Sequence, residues 1–103
     1  FAGLRLDPGQ ARALVAGCTG CDFSGMSLRS ADLSHLTVRG DLFIGSDLRG
    51  ADLGSSTFVG VPFTRADLSG AQVAGATFVG CDFAGAALAG VDLSRAKLVD
   101  SRR

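Results

Sequence analysis

The chain contains no Trp, no Tyr and no Glu, with one Met, one His and two Pro. Every acid is therefore Asp, whose short side chain bonds nearby backbone and suits turns better than helix interiors. Neither sign of charge is in excess: ten Lys plus Arg stand against ten Asp plus Glu. A nucleic-acid binder would carry a basic surplus, so no direct nucleic-acid binding is expected, and the same balance disfavours an acidic imitation of DNA. No stretch approaches the ~18–20 consecutive apolar residues of a membrane span, and no signal-peptide pattern opens the chain. A cytoplasmic protein with no membrane contact is expected. The missing initiator Met means that the first residues are absent, cleaved or part of a larger protein.

Cysteine is also scarce. Cys18, Cys21 and Cys81 are odd in number and too few for a disulfide framework. Cys18-Thr19-Gly20-Cys21 spells C-x-x-C, but a redox site of that kind wants a helix N-terminus in a βαβ setting, and zinc wants a second ligand pair. Neither is visible, so buried, unreactive thiols in a reducing compartment are expected. His35 stands alone, and no H-E-x-x-H, P-loop or dinucleotide fingerprint is present. No catalytic, cofactor-binding or metal-ligating residue is assigned, no cofactor is expected, and the chain does not read as an enzyme.

What the chain has is a repeat. Stepping by five from Phe23 meets Leu28, Leu33, Val38, Phe43, Leu48, Leu53, Phe58, Phe63, Leu68, Val73, Phe78, Phe83, Leu88, Leu93 and Leu98. All sixteen centres are large and apolar. Two residues before each, the side chain is usually small (Ala31, Ala51, Ala66, Cys81), and two residues after, Gly dominates. A helix would scatter such centres around its surface, and a straight strand would send alternate ones to opposite faces. A chain that turns a corner every five residues points all of them inward, with Gly tolerating the corner dihedrals. Identity is also kept at a step of twenty: Phe23, Phe43, Phe63 and Phe83 form one column, and Leu28, Leu48, Leu68 and Leu88 the next. Stacked four-cornered coils require this, and four of them at strand spacing make a rod roughly 20 Å tall. The domain division is 1–20 as an N-terminal cap, 21–100 as the repeat and 101–103 as a tail. Within the cap, Asp7-Pro8-Gly9-Gln10 reads as a helix start, with Ala11, Leu14 and Val15 as its apolar stripe, Gly17 as its stop and Leu6 packing on the first turn.

The units Ala31-Asp32-Leu33-Ser34, Gly50-Ala51-Asp52-Leu53 and Arg65-Ala66-Asp67-Leu68-Ser69-Gly70 resemble the A-(D/N)-L-x-x signature of pentapeptide-repeat proteins. The resemblance implies an all-β, right-handed, four-sided β-helix of about four coils. Departures are Met26 and Leu36, large for the inward small position, Asp41, charged there, and Pro62. Seven Asp recur one residue before a centre, which points to a structural role in bonding backbone N–H groups. A non-enzymatic structural or protein-interaction module is expected, its protein partner unnamed. The alternative implied by the resemblance is a DNA mimic that binds DNA gyrase or topoisomerase and protects it from quinolones or toxins.

Two surfaces are candidates for contact. Val59, Val79 and Val99 form an outward apolar column flanked by Thr, and Leu42 and Ile44 add outward apolar positions. Phe83, Leu88, Leu93 and Leu98 belong to the last coil, which nothing further along the sequence covers, so a homodimer through the C-terminal coil is expected.

Overall fold

The computed structural model describes residues 7–102. Its unit of construction is a ladder between positions about twenty apart. The Phe23 N–H bonds the Leu42 carbonyl at 2.7 Å, and the Leu42 N–H bonds the Cys21 carbonyl at 2.8 Å. The same pair of bonds recurs at Leu28 with Asp47 and at Leu33 with Asp52, so stretches 21–40, 41–60, 61–80 and 81–100 lie one above another as layers. The result is a β-helix with four walls and one short helix.

Among the described residues only one wall forms extended strands: β1 (Thr37–Arg39), β2 (Thr57–Val59), β3 (Thr77–Val79) and β4 (Lys97–Val99). They make a parallel sheet in the order β1-β2-β3-β4, with Val38 over Phe58, Phe58 over Phe78 and Phe78 over Leu98. Thr, Val and Phe are strand-forming types, and this wall concentrates them. The other walls are held by single bridges such as Asp22 to Leu42 and Asp32 to Asp52.

Corners fall where the repeat places them. The residue two after a centre has positive φ throughout the regular part, usually as Gly, and His35, Ser55 and Arg65 adopt it at 56–57° without that freedom. Each of the seven Asp one residue before a centre accepts a bond from the backbone N–H two residues on, as Asp52 does from Gly54 at 2.8 Å. These Asp are turn supports on the outer wall.

The interior is filled by the centres. Phe43, Phe63 and Phe83 stack with ring centroids 5.5 and 5.1 Å apart, Phe58 and Phe78 stack at 5.2 Å, and the two columns meet edge to face. The centres from Phe23 to Phe83 are all buried, as is Met26. Helix α1 (Pro8–Ala16) closes the first layer. Asp7 and Gln10 form a capping box, Ala11 and Val15 are buried, and Leu14 packs against the core from a half-buried position. The Arg12 side chain reaches the Ser34 carbonyl at 2.6 Å, pinning the helix to the first layer. Leu6 lies outside the described residues.

The protein measures 30 × 25 × 22 Å, a block more than a rod. Four layers at strand spacing are about as tall as one layer is wide.

Regularity fails in the last layer. Gly60, Gly70 and Gly80 each bond the carbonyl nineteen residues on, but the Gly75 N–H bonds the Arg95 carbonyl, twenty on. Here the chain enters a 3₁₀ turn at Leu93–Arg95, with Asp92 accepting from the Ser94 N–H. Val91 occupies the position that Ala31, Ala51 and Ala71 hold below it, a larger side chain in the layer where the offset changes. Among the described residues, Ser101 and Arg102 continue onto the first wall: Arg102 pairs with Asp82, its carbonyl accepting from the Phe83 N–H at 2.6 Å. Arg103 lies outside the described residues.

Candidate functional site

Three places on this scaffold depart from its repeat and can be tested as sites. The first is the fourth layer. Leu88, Leu93 and Leu98, with Ala86, Val91 and Ala96, are only half-buried, whereas Leu48, Leu53 and Phe58 two layers below have no exposed surface. Phe83 is covered, at 3% exposure, because the Ser101–Arg102 continuation lies over its edge. So three of the four candidate end residues present apolar surface.

The second place is the outer face of the strand wall. Val59, Val79 and Val99 are half-buried, as are Thr57 and Thr77 beside them, and Leu42 and Ile44 on the neighbouring wall. Parallel sheets usually have both faces covered. This one has its inner face in the core and its outer face in solvent. An open crevice of about 420 Å³ lies on the third wall, between Gly70–Ala74 and Gly90, Asp92 and Arg95, beside the change of offset at Gly75. Its lining holds no nucleophile, and Asp92 is already committed to its turn.

The third place joins the cap to the first layer, and here the structure corrects the expectation of free thiols. Cys18 and Cys21 are joined in a disulfide with Cα atoms 5.8 Å apart. Cys18 follows the C-cap Gly17, its N–H bonding the Val15 carbonyl, and Cys21 begins the first wall, so the chain must bend between them. That bend brings the two sulfurs together within one short loop, and both residues are half-buried, not sealed in the core. Cys81 alone is a buried free thiol, and burial pushes its pKa up.

Directly above Cys21 in the inward column sits Asp41, with no exposed surface. Its Oδ1 accepts from the Cys21 N–H at 2.7 Å, and its Oδ2 is buried with no hydrogen-bond partner. Burial raises its pKa, with the Cys21 and Gly20 amides pulling the other way. Pro62, in the layer above, has no N–H to offer the Asp41 carbonyl, so the rung that Leu42 and Asp47 make to the layer below them is missing there. The repeat places Cys18 and Cys21 on inward positions but does not show the bend between them, which is why the disulfide is not visible in it. The same count run backwards sets Cys21 twenty residues under Asp41 and marks the pair.

Surface charges are ordinary by comparison. Arg49 bonds Asp47 at 2.7 Å and lies 3.7 Å from Asp67, an exposed network of small energetic weight. Among the described residues no cluster of His, Cys and Asp is arranged to hold a metal ion, and no helix is long and apolar enough to cross a membrane.

Comparison with known proteins bears on the whole of this framework. The family model for pentapeptide repeats matches residues 42–70 and 66–102 in eight copies, together more than half of the chain. A pentapeptide repeat protein from the cyanobacterium Cyanothece 51142 is similar in structure, with a TM-score of 0.77 and 26% identity over 82% of this chain. This chain spans 57% of that protein's length. A pentapeptide repeat protein from the Arabidopsis thaliana thylakoid lumen matches at 25% identity and TM-score 0.46, over 73% of this chain and 64% of its own. A plasmid-mediated fluoroquinolone resistance protein, QnrB1, matches at 23% identity and TM-score 0.42, over 79% of this chain and 49% of its own. No curated protein matches the sequence.

Proposed function

This chain belongs to the pentapeptide repeat family, and we propose that it works by protein–protein contact, without catalysis, its fourth layer pairing with the fourth layer of a second copy. The carrying observation is the loss of burial in that layer: Leu88, Leu93 and Leu98 are half-exposed where the equivalent residues below are sealed. An apolar layer with unpaired strand edges associates with another such layer, because both apolar surface and free backbone groups are removed from water. A two-fold arrangement brings Arg95 and Lys97 of one copy near those of the other, and Asp92 and Asp100 in the same layer offset that repulsion.

A filled interior supports the non-catalytic reading, since a substrate needs a cleft with convergent polar groups. The gyrase-directed alternative calls for a continuous acidic face like that of duplex DNA. In this chain the outward Asp are bound into turns, and Asp47 and Asp67 share Arg49. The outer face of the strand wall, with Val59 and Val79, offers a second contact surface for another protein.

Light scattering after size exclusion, from micromolar concentration upward, tests the pairing. A mass rising to twice that of the chain is expected. A monomer at every concentration contradicts it. A supercoiling assay with purified gyrase tests the alternative, and inhibition or drug protection at low micromolar protein would put gyrase binding in place of self-pairing.

A further inference from the structure

Inward polar side chains in this protein obey one geometric rule, and Asp41 breaks it. Ser56 accepts from the Leu36 N–H twenty residues earlier at 3.0 Å and donates to the Leu33 carbonyl twenty-three residues earlier. Ser101 accepts from the Cys81 N–H at 3.1 Å and donates to the Phe78 carbonyl at 2.9 Å. Ser46 and Cys81 donate at the same offset of twenty-three, to Phe23 and Phe58. Asp41 performs the accepting half, from Cys21. At twenty-three residues before it stands Cys18, the other half of the disulfide. The ladder register holds back to Gly20, whose N–H bonds the Arg39 carbonyl. An ionised Asp41 has no proton to donate, and its Oδ2 has no partner. A protonated Asp41 carries the proton that the other inward polar groups carry, and its carboxyl lies over the Cys21 end of the disulfide loop.

The sulfurs sit in surroundings that disfavour a thiolate. Cys18 follows the C-terminal end of α1, the negative end of the helix dipole. Cys21 lies in the same inward column as the buried carboxyl. Thiol–disulfide exchange needs the departing sulfur to leave as a thiolate or be protonated as it leaves. The second course requires an acid at hand.

We propose that Cys18, Cys21 and Asp41 form a thiol–disulfide exchange site, opened by a dithiol reductant, in which the Asp41 carboxyl gives its proton to the departing sulfur. A thiolate of the reductant attacks one sulfur, the Cys18–Cys21 bond breaks, and a mixed disulfide forms as the other cysteine takes the Asp41 proton. The second thiolate of the reductant then displaces the first cysteine, whose sulfur is protonated from water. The reductant closes to its own disulfide, two electrons pass to the protein, and Asp41 recovers its proton from solvent. The exchange is independent of the pairing of fourth layers and removes one tie between α1 and the first layer, the buried Ala11 and Val15 and the Arg12 bond to Ser34 remaining. Charged neighbours do not stand in for Asp41: Asp22 and Arg39 are exposed, Val61 and Pro62 above it carry no charge, and Arg12 of α1 is engaged at Asp32 and Ser34.

Dithiothreitol reduction, followed by alkylation and mass mapping of Cys18 and Cys21, tests this. Rates are divided by the thiolate concentration of the reagent at each pH from about 5.5 to about 8.5 and compared with those of Asp41→Ser. Serine already fills inward positions at Ser46, Ser56 and Ser101, so the variant keeps the ladder and removes only the titrating acid. Asp41→Asn serves as a second variant with the same expectation. The normalised rate of the native protein is expected to fall about tenfold or more as Asp41 loses its proton with rising pH, while both variants stay flat and slower at the acid end. Identical profiles in native protein and variants overturn the proposal. So does a disulfide that resists reduction until the protein is unfolded.

Discussion

Phe63→Ala is the sharpest test of the core. The ring has no exposed surface and sits between Phe43 and Phe83, with centroids 5.5 and 5.1 Å away, while Phe58 and Phe78 meet its edge at 5.5 and 5.9 Å. Truncation removes contacts in two columns at once, in a closed layer whose backbone is laddered above and below and cannot collapse freely into the gap. Large aromatic truncations in cores cost about 3–5 kcal/mol, and the loss of stacked partners places this one near the upper end. Against a total stability of about 5–15 kcal/mol for a domain, the effect is large enough to endanger folding. Phe63→Leu therefore accompanies it, keeping an apolar side chain at a cost of about 1.5 kcal/mol. Urea unfolding followed by circular dichroism gives both values, with Val59→Ala on the outer wall as a control within about 0.5 kcal/mol of the native protein. A Phe63→Ala loss below about 1 kcal/mol would refute the stacked-core reasoning, because no buried aromatic column gives up a ring so cheaply.

Other consequences follow from single residues. Gly80 has φ of +64°, and a Cβ there would meet nothing within 4 Å, so Gly80→Ala measures backbone strain alone, about 1–2 kcal/mol in the same urea titration. Asp41 has a folded-state pKa raised by burial, so its contribution is fully present below the unfolded pKa and is lost as pH rises through the folded value. Asp41→Ser is accordingly expected to stabilise the protein by about 1–3 kcal/mol at about pH 8 and to lose that advantage progressively as the pH is lowered towards the unfolded carboxylate range, read from urea midpoints. Asp22, Asp32 and Asp67 are shifted down by bonds from Ser24, Ser34 and Ser69, and Asp47 first by its bond from Arg49. Their contribution is present above the unfolded carboxylate pKa and lost as pH falls below it, so the urea midpoint should drop on going from about pH 5 to about pH 3.

The step of five and the step of twenty carry the fold, because a four-cornered helix forces one side chain per corner inward and stacks like on like. Asp7, Pro8, Gln10 and Gly17 mark the cap helix because helix ends have their own chemistry. Less legible is anything depending on how layers meet across twenty residues. Val91 is only one apolar residue among small inward ones in the sequence, yet its bulk accompanies the slip at Gly75. Cys18 and Cys21 look like core thiols because their inward register is plain in the sequence while the bend between them is not. Asp41 stands out as an inward charge, but the offset of twenty-three that sets it against Cys18 is revealed by the bonds of Ser46, Ser56, Cys81 and Ser101.

The pairing of fourth layers is tested most directly by comparing the solution mass of three proteins at high micromolar concentration. Leu88→Lys with Leu98→Lys places charge on half-buried positions of that layer, while Val79→Lys places it on the outer strand wall. Light scattering is expected to show dimers for the native chain and for Val79→Lys, and monomers for the double variant with its circular dichroism unchanged. A native chain that stays monomeric, or a dimer broken by Val79→Lys and kept by the double variant, would contradict the account.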